Sequence, residues 1–189
     1  MVITDFLNKV EVVDVYKWAR DLNEDAARFA VIFRALIQTG MMRGHLIAMR
    51  FDDLKQIENG FYEVNLVWKR GQRSSILIQD KLMYQWRTER DSDKWHGPDN
   101  IFRPRHKGAF TTVTAINHLF NGNTASRNNM KENYIGKARQ EGLLAYGKLI
   151  TPDSLRYTTE MLLAGVTKNR ECRPTTPEGA AFLDSIWGD

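Results

Sequence analysis

The chain has 189 residues, of which 42% are hydrophobic and 26% charged, ordinary values for a globular domain that buries a sizeable core. No apolar run approaches the ~18 residues of a membrane span, and the N-terminus lacks a secretory signal pattern. The single cysteine, Cys172, excludes an intramolecular disulfide and a thiolate metal cluster. The net charge of +4 and the pI of about 9.2 indicate a modest basic excess. We expect a cytoplasmic protein, nucleoid-associated in a bacterium or nuclear in a eukaryote.

Apolar spacing predicts three helices in the first third of the chain. The first carries apolar residues near helical spacing at Phe6, Val10, Val13 and Trp18. Thr4 or Asp5 is its candidate N-cap. A second, amphipathic helix runs from about Glu24 to Gln38, and the pair Thr39-Gly40 separates it from a third helix over about 43–49.

The middle of the chain predicts a small antiparallel sheet. Two β-rich runs, near 61–67 and 76–78, flank a short basic turn that contains Gly71. The stretch 49–57 is a candidate third strand. A helix is then predicted from Asp80 to Arg87, followed by a polar loop over 88–100.

Helices return in the last part of the chain. Two helices are predicted near 111–120 and 128–141. A third runs from Pro152, with Thr151 as its cap, to about Leu163. A last short helix is predicted over 180–187, after a loop over 167–177. This order of elements, with helices before and after a small sheet, excludes a doubly wound α/β fold. We predict one mostly helical α+β domain over 1–189, with a three-stranded antiparallel sheet.

Two segments resemble signatures of the tyrosine recombinase (phage integrase) family. In the family, a Thr-Gly turn leads to a catalytic arginine, a glutamate, a Leu-rich helix and a Trp/Phe-x-Asp strand start, and the segment 39–53 is similar to this pattern. The segment 150–158 is similar to the second signature, Thr-Pro-His-x-Leu-Arg-His-Thr. Between them lie a hairpin with a lysine at its turn and the pair Ile101-Phe102, where members often have Leu-Phe. The likeness extends over about 4–166 and leaves 167–189 as a divergent tail.

The resemblance implies the catalytic-domain fold and its phosphotyrosyl chemistry. In the family a tyrosine attacks a DNA phosphodiester, two arginines stabilise the charge of the transition state, and histidines and the hairpin lysine transfer protons. On matching positions, Arg156 is the second arginine and Lys69 the hairpin lysine. The alignment places Met42 in the slot of the first arginine; Arg43, our candidate, comes one residue later, which is about 100° around a helix.

Other positions depart from the family pattern. Asp153 and Tyr157 replace two family histidines, and His45 occupies the slot of the supporting glutamate. We interpret Tyr157 as a packing residue, and His45 as a structural one. No tyrosine follows Tyr157 in this sequence, so the nucleophile is not identified, and Trp187 is at most a packing or hydrogen-bonding aromatic.

Basic residues gather in three clusters, which supply phosphate contacts in DNA-binding proteins and are also compatible with solvated loops. We assign DNA contacts to Arg70, Arg73, Arg105, Lys107, Lys168, Arg170 and Arg173. The expected partner is double-stranded DNA, with further copies of the chain or other recombinase subunits on it. No metal or cofactor is expected.

The sequence therefore predicts an integrase-like DNA-binding protein that does not cleave DNA alone and that acts in recombination, integration or the regulation of a mobile element. Two other interpretations stay open. One is an active recombinase whose nucleophile is lost by truncation or supplied by another subunit. The other is a relative in fold only, acting as a protein-interaction module.

Overall fold

The computed structural model describes residues 6–22, 24–67, 71–92, 101, 152–167 and 173–188. Its elements in chain order are α1 (Lys9–Leu22), α2 (Glu24–Thr39), α3 (Arg43–Ala48), a 3-10 turn (Phe51–Asp53), β1 (Leu54–Ile57), a 3-10 turn (Glu58–Gly60), β2 (Phe61–Val67), β3 (Arg73–Gln79), α4 (Asp80–Ser92), α5 (Pro152–Leu163) and α6 (Pro177–Ser185). The helices predicted near 111–120 and 128–141 lie outside the described residues. Within the described ranges, no helix is long and apolar enough to cross a membrane.

Helix α2 forms the centre of the core. All residues from 30 to 40 are buried, and Phe33, Leu36 and Ile37 have no exposed surface. The sequence predicted an amphipathic helix, but α1, α5, α6 and strand β3 enclose α2 on several sides. A helix that is surrounded in this way buries its polar residues as well as its apolar ones.

Helix α1 differs from its prediction in both its cap and its buried face. Asn8 Oδ1 accepts a hydrogen bond from the Glu11 backbone N–H at 3.0 Å, and the Asn8 N–H donates to Glu11 Oε2 at 2.8 Å, so Asn8 rather than Thr4 or Asp5 caps the helix. The predicted face was wrong because Phe6 lies before the helix and Val10 is 67% exposed. Among the described side chains of α1, the buried apolar ones are Val12, Val15, Tyr16 and Ala19.

The Thr39-Gly40 pair ends α2 and directs the chain into α3. Gly40 adopts a φ of 60°, and its N–H donates to the Leu36 carbonyl at 2.9 Å, which is a left-handed helix C-cap. The Thr39 hydroxyl donates to the Ala35 carbonyl at 2.7 Å and accepts from the Met41 N–H at 3.2 Å. After this turn α3 begins at Arg43, as the sequence predicted.

The sheet has the order β1-β2-β3 and is antiparallel throughout, which confirms the predicted hairpin and third strand. Its buried side chains join the same core as α2: Val64, Leu66, Ile76 and Ile78. Along the outer edge of β3, the Leu77 N–H donates to the Pro174 carbonyl at 2.8 Å. The segment that leads into α6 is therefore attached to the sheet edge.

The mostly helical α+β prediction is confirmed, although boundaries of α4 and α6, like the start of α1, differ from it. Helix α4 continues to Ser92, into the predicted polar loop. Helix α6 begins at Pro177, inside the second predicted loop, because the Thr176 hydroxyl caps it by accepting from the Gly179 N–H at 3.2 Å. A Thr-Pro pair therefore opens this helix, the pattern that correctly predicted the start of α5 at Pro152.

Candidate nucleic-acid interface

A cleft of about 750 Å³ lies between α3, the turn end of the β2–β3 hairpin, α5 and the segment before α6. The described residues that line it are Met42, Gly44, His45, Val67, Gln72, Arg73, Ser74, Arg156 and Arg173. Three of them are arginines, each from a different element, and none of these described residues is an aspartate or a glutamate. Arginine stays charged and has five donors and no acceptor, so three of them favour an anion in the cleft.

Arg156 reaches the cleft from a firmly held helix. The Thr159 hydroxyl donates to the Ile37 carbonyl at 2.8 Å, which ties α5 to α2, and Thr158 Oγ1 accepts from the Leu7 N–H at 3.0 Å. Leu155 is fully buried, whereas Arg156 is half-buried at the edge of the same helix. The buried contacts of α5 therefore fix the backbone that carries Arg156.

Arg173 reaches the cleft from the other side, along the sheet edge. Its Nη1 donates to Ser74 Oγ at 2.9 Å, and the neighbouring Pro174 carbonyl binds the Leu77 N–H. Arg173 is half-buried. Ser74 was missed by sequence reasoning, because a serine within a strand carries no signal that it orients an arginine.

His45 joins two of the elements that frame the cleft. Its Nε2 lies 3.0 Å from the Val67 carbonyl oxygen, so it links α3 to the end of β2. Since a carbonyl oxygen only accepts, Nε2 carries the proton in this contact. The histidine thus makes a supporting contact between elements, in keeping with the structural role predicted for it.

The start of α3 presents Met42 and Gly44 to the cleft, but not the residue between them. Arg43 is half-buried at the first position of the helix and is not among the side chains that line the cleft. Met42, which is 37% exposed, and Val67, which is 60% exposed, add apolar surface to the arginine cleft.

The structure thus brings together three of the predicted residues: Arg73, Arg156 and Arg173. Six others lie outside the described residues: Lys69, Arg70, Arg105, Lys107, Lys168 and Arg170. The Asp153 side chain and Thr151 also lie outside them. The roles given to all of these stay predictions.

The aromatic residues that the sequence analysis singled out, Tyr157 and Trp187, pack against other rings and do not line the cleft. Tyr157 stacks edge-on against Phe6 with ring centroids 5.6 Å apart, and Trp187 is buried against Tyr16 at 5.0 Å. The tyrosines with described side chains are Tyr16, Tyr62, Tyr84 and Tyr157, and none of these four lines the cleft. Among the residues that the structure describes, no group of three His, Cys, Asp or Glu is placed to hold a metal ion.

No protein-family model matches the sequence, and no curated protein matches it. Solved structures do match. The XerH site-specific recombinase bound to difH substrate, in its pre-cleavage complex, superposes with a TM-score of 0.63 at 19% identity, over 89% of this chain and 46% of that one. The Tn1549 transposon integrase in complex with transposon right end DNA gives 0.65 at 14% identity, over 100% and 59%.

The Tn1549 integrase in complex with circular intermediate DNA gives a TM-score of 0.58 at 13% identity, over 100% of this chain and 58% of that one. The chain therefore spans about half the length of the structures that it matches. The order of elements, the sheet and these superpositions agree with the family resemblance of the two sequence signatures. The chain has the fold of a tyrosine recombinase (integrase) catalytic domain.

Proposed function

We propose that this chain is an integrase-like DNA-binding protein that holds a backbone phosphate of duplex DNA in the arginine cleft. The observation that carries the proposal is the convergence of Arg73, Arg156 and Arg173 from three separate elements on one cleft. Guanidinium groups bind phosphate oxygens through two parallel hydrogen bonds, and neutralisation of phosphates supplies most of the affinity of such proteins for DNA.

The apolar wall of the cleft supports the same ligand. Met42 and Val67 are exposed beside the guanidinium groups. A DNA backbone presents deoxyribose next to each phosphate, and proteins contact both groups to fix their register on the duplex. The solved structures with this fold that are described above are themselves complexes with DNA. A relative in fold only, acting as a protein-interaction module, would be favoured by a large exposed apolar patch with no basic face, and the arginine cleft argues against it.

We further propose that the chain does not cleave DNA alone. Arginines around a phosphate stabilise a transition state only when a nucleophile attacks, and none of the four tyrosines with described side chains lines the cleft. Trp187, the aromatic residue near the end of the sequence, is 2% exposed and packs on Tyr16. Binding without cleavage suits a protein that occupies recombination sites, regulates a mobile element, or assembles with other copies or with recombinase subunits.

A library of nicked, random-sequence duplexes tests both parts of the proposal. The nick lets the 5′-hydroxyl fragment diffuse away, so a covalent protein–DNA adduct accumulates if a tyrosine attacks. We expect a non-covalent complex in native gels at low salt and no adduct in denaturing gels. An adduct that disappears in Arg156→Ala would overturn the proposed lack of cleavage, and absence of any complex would overturn the proposed binding.

A further inference from the structure

Helix α6 is anchored in the core by a buried ion pair. Arg34 on α2 is 2% exposed and Asp184 on α6 is 3% exposed. Arg34 Nη2 lies 3.8 Å from Asp184 Oδ1, and Gln38 Nε2 donates to the same oxygen at 3.1 Å. Arg34 Nε donates to Gln38 Oε1 at 2.7 Å, so the three side chains form one connected network.

Aromatic contacts complete this anchor. The Arg34 Cζ atom lies 5.2 Å from the Trp187 ring and 5.5 Å from the Tyr16 ring. The Tyr16 hydroxyl accepts from Arg34 Nη1 at 3.4 Å and from Gln85 Nε2 at 2.9 Å. The C-terminal end of α6 is therefore held by residues of α1, α2 and α4.

The other end of α6 packs against α5, the helix that carries Arg156. A Cβ atom at Gly179 would lie 3.3 Å from Leu163 Cδ2 and 3.5 Å from Thr167 Cγ2, so the first turn of α6 is in close contact with the end of α5. Arg173 lies just before this turn, where the Ser74 and Leu77 bonds attach it to the sheet. The segment 173–188 thus spans from the cleft to the buried ion pair.

We infer that Asp184 is a positioning residue for the cleft: by docking α6, it keeps Arg173 beside Arg156. Removal of Asp184 breaks its buried contact with Arg34 and its hydrogen bond from Gln38, and the loss of one partner from a buried ion pair disfavours the docked helix. The Ser74 and Leu77 bonds have a small net free energy each, so we expect the docking of α6 to contribute to the position of Arg173. This inference rests on the proposed binding of DNA in the cleft.

A double-mutant cycle between Asp184 and Arg173 tests the inference, with duplex affinity measured by fluorescence anisotropy at low salt. We expect Asp184→Ala to weaken binding about tenfold, as Arg173→Ala does. The Asp184→Ala effect should vanish when Arg173 is already alanine, because no guanidinium is left to misplace. An equal loss in both backgrounds would mean that Asp184 acts only on stability, and would overturn the inference.

Two further variants separate docking from charge and from stability. In the first, Arg34→Met, Gln38→Leu and Asp184→Leu together replace the network by apolar side chains that let α6 dock without a buried charge. This variant should recover wild-type affinity, and a persistent tenfold loss would contradict the positioning role.

The second variant, Leu82→Ala, is a core truncation on α4 that controls for stability, and it should leave affinity unchanged below its unfolding transition. If Arg173→Ala itself has no effect, the proposed cleft fails; if only the coupling is missing, the inference alone fails.

Discussion

Arg34→Leu is expected to lower the free energy of unfolding by about 3–5 kcal/mol, since removal of one partner from a buried pair leaves the other charge uncompensated. Asp184, at 3% exposed, would keep only the hydrogen bond from Gln38. The substitution also removes the guanidinium that lies over the rings of Tyr16 and Trp187. Urea unfolding followed by circular dichroism measures the change.

Arg20→Leu is the matched control for this prediction. Both arginines approach the Tyr16 ring, Arg20 at 5.9 Å and Arg34 at 5.5 Å, and both contact an aspartate. Arg20 and its partner Asp21 have side chains that are 50% and 65% exposed, so water screens their attraction. We expect Arg20→Leu to leave the urea midpoint nearly unchanged. Equal effects of the two substitutions would show that the Arg34 network does not anchor α6.

Arg156→Ala should weaken duplex binding by about 2–3 kcal/mol, which corresponds to about 30- to 150-fold in Kd, because it removes a fixed, charge-assisted donor to the phosphate. Arg156→Lys should recover part of this loss, since lysine keeps the charge but lacks the planar pair of donors. Anisotropy titrations with a labelled duplex measure both.

The control for Arg156 is an arginine away from the cleft. Arg87 on α4 is exposed, and its guanidinium lies 5.5 Å over the Phe51 ring. Arg87→Ala removes one positive charge, as Arg156→Ala does, but does not change the cleft, so its effect on Kd should be less than about threefold. A loss as large as that of Arg156→Ala would mean that net charge, and not the cleft, sets the affinity.

Several parts of the fold could be predicted because their signals are local. Two β-rich runs around a glycine-containing turn specify a hairpin, Thr39-Gly40 specifies a helix end, and Pro152 specifies a helix start. The buried face of α1 could not be predicted in the same way. Its buried face depends on which side α2 covers, and Val10 is left exposed although it fits an apolar spacing.

The site was predictable where it follows a motif. Arg156 stands in the second signature, and the structure places it in the cleft. Arg173 was grouped with Lys168 and Arg170 because they are close in sequence, but its position beside Arg156 depends on the docking of α6. That docking uses a hydrogen bond between Gln38 and Asp184, which are 146 positions apart and carry no local signal of their contact.

The salt dependence of duplex binding tests the account most directly, when the wild type is compared with Arg73→Ala, Arg156→Ala and Arg173→Ala combined. Each phosphate neutralised on B-DNA contributes about 0.9 to the slope of log affinity against log salt concentration. We predict salt-sensitive binding by the wild type and a slope smaller by about 1 in the triple variant, because the three arginines share one phosphate. A triple variant with the same affinity and slope as the wild type would contradict the assignment of DNA binding to the arginine cleft.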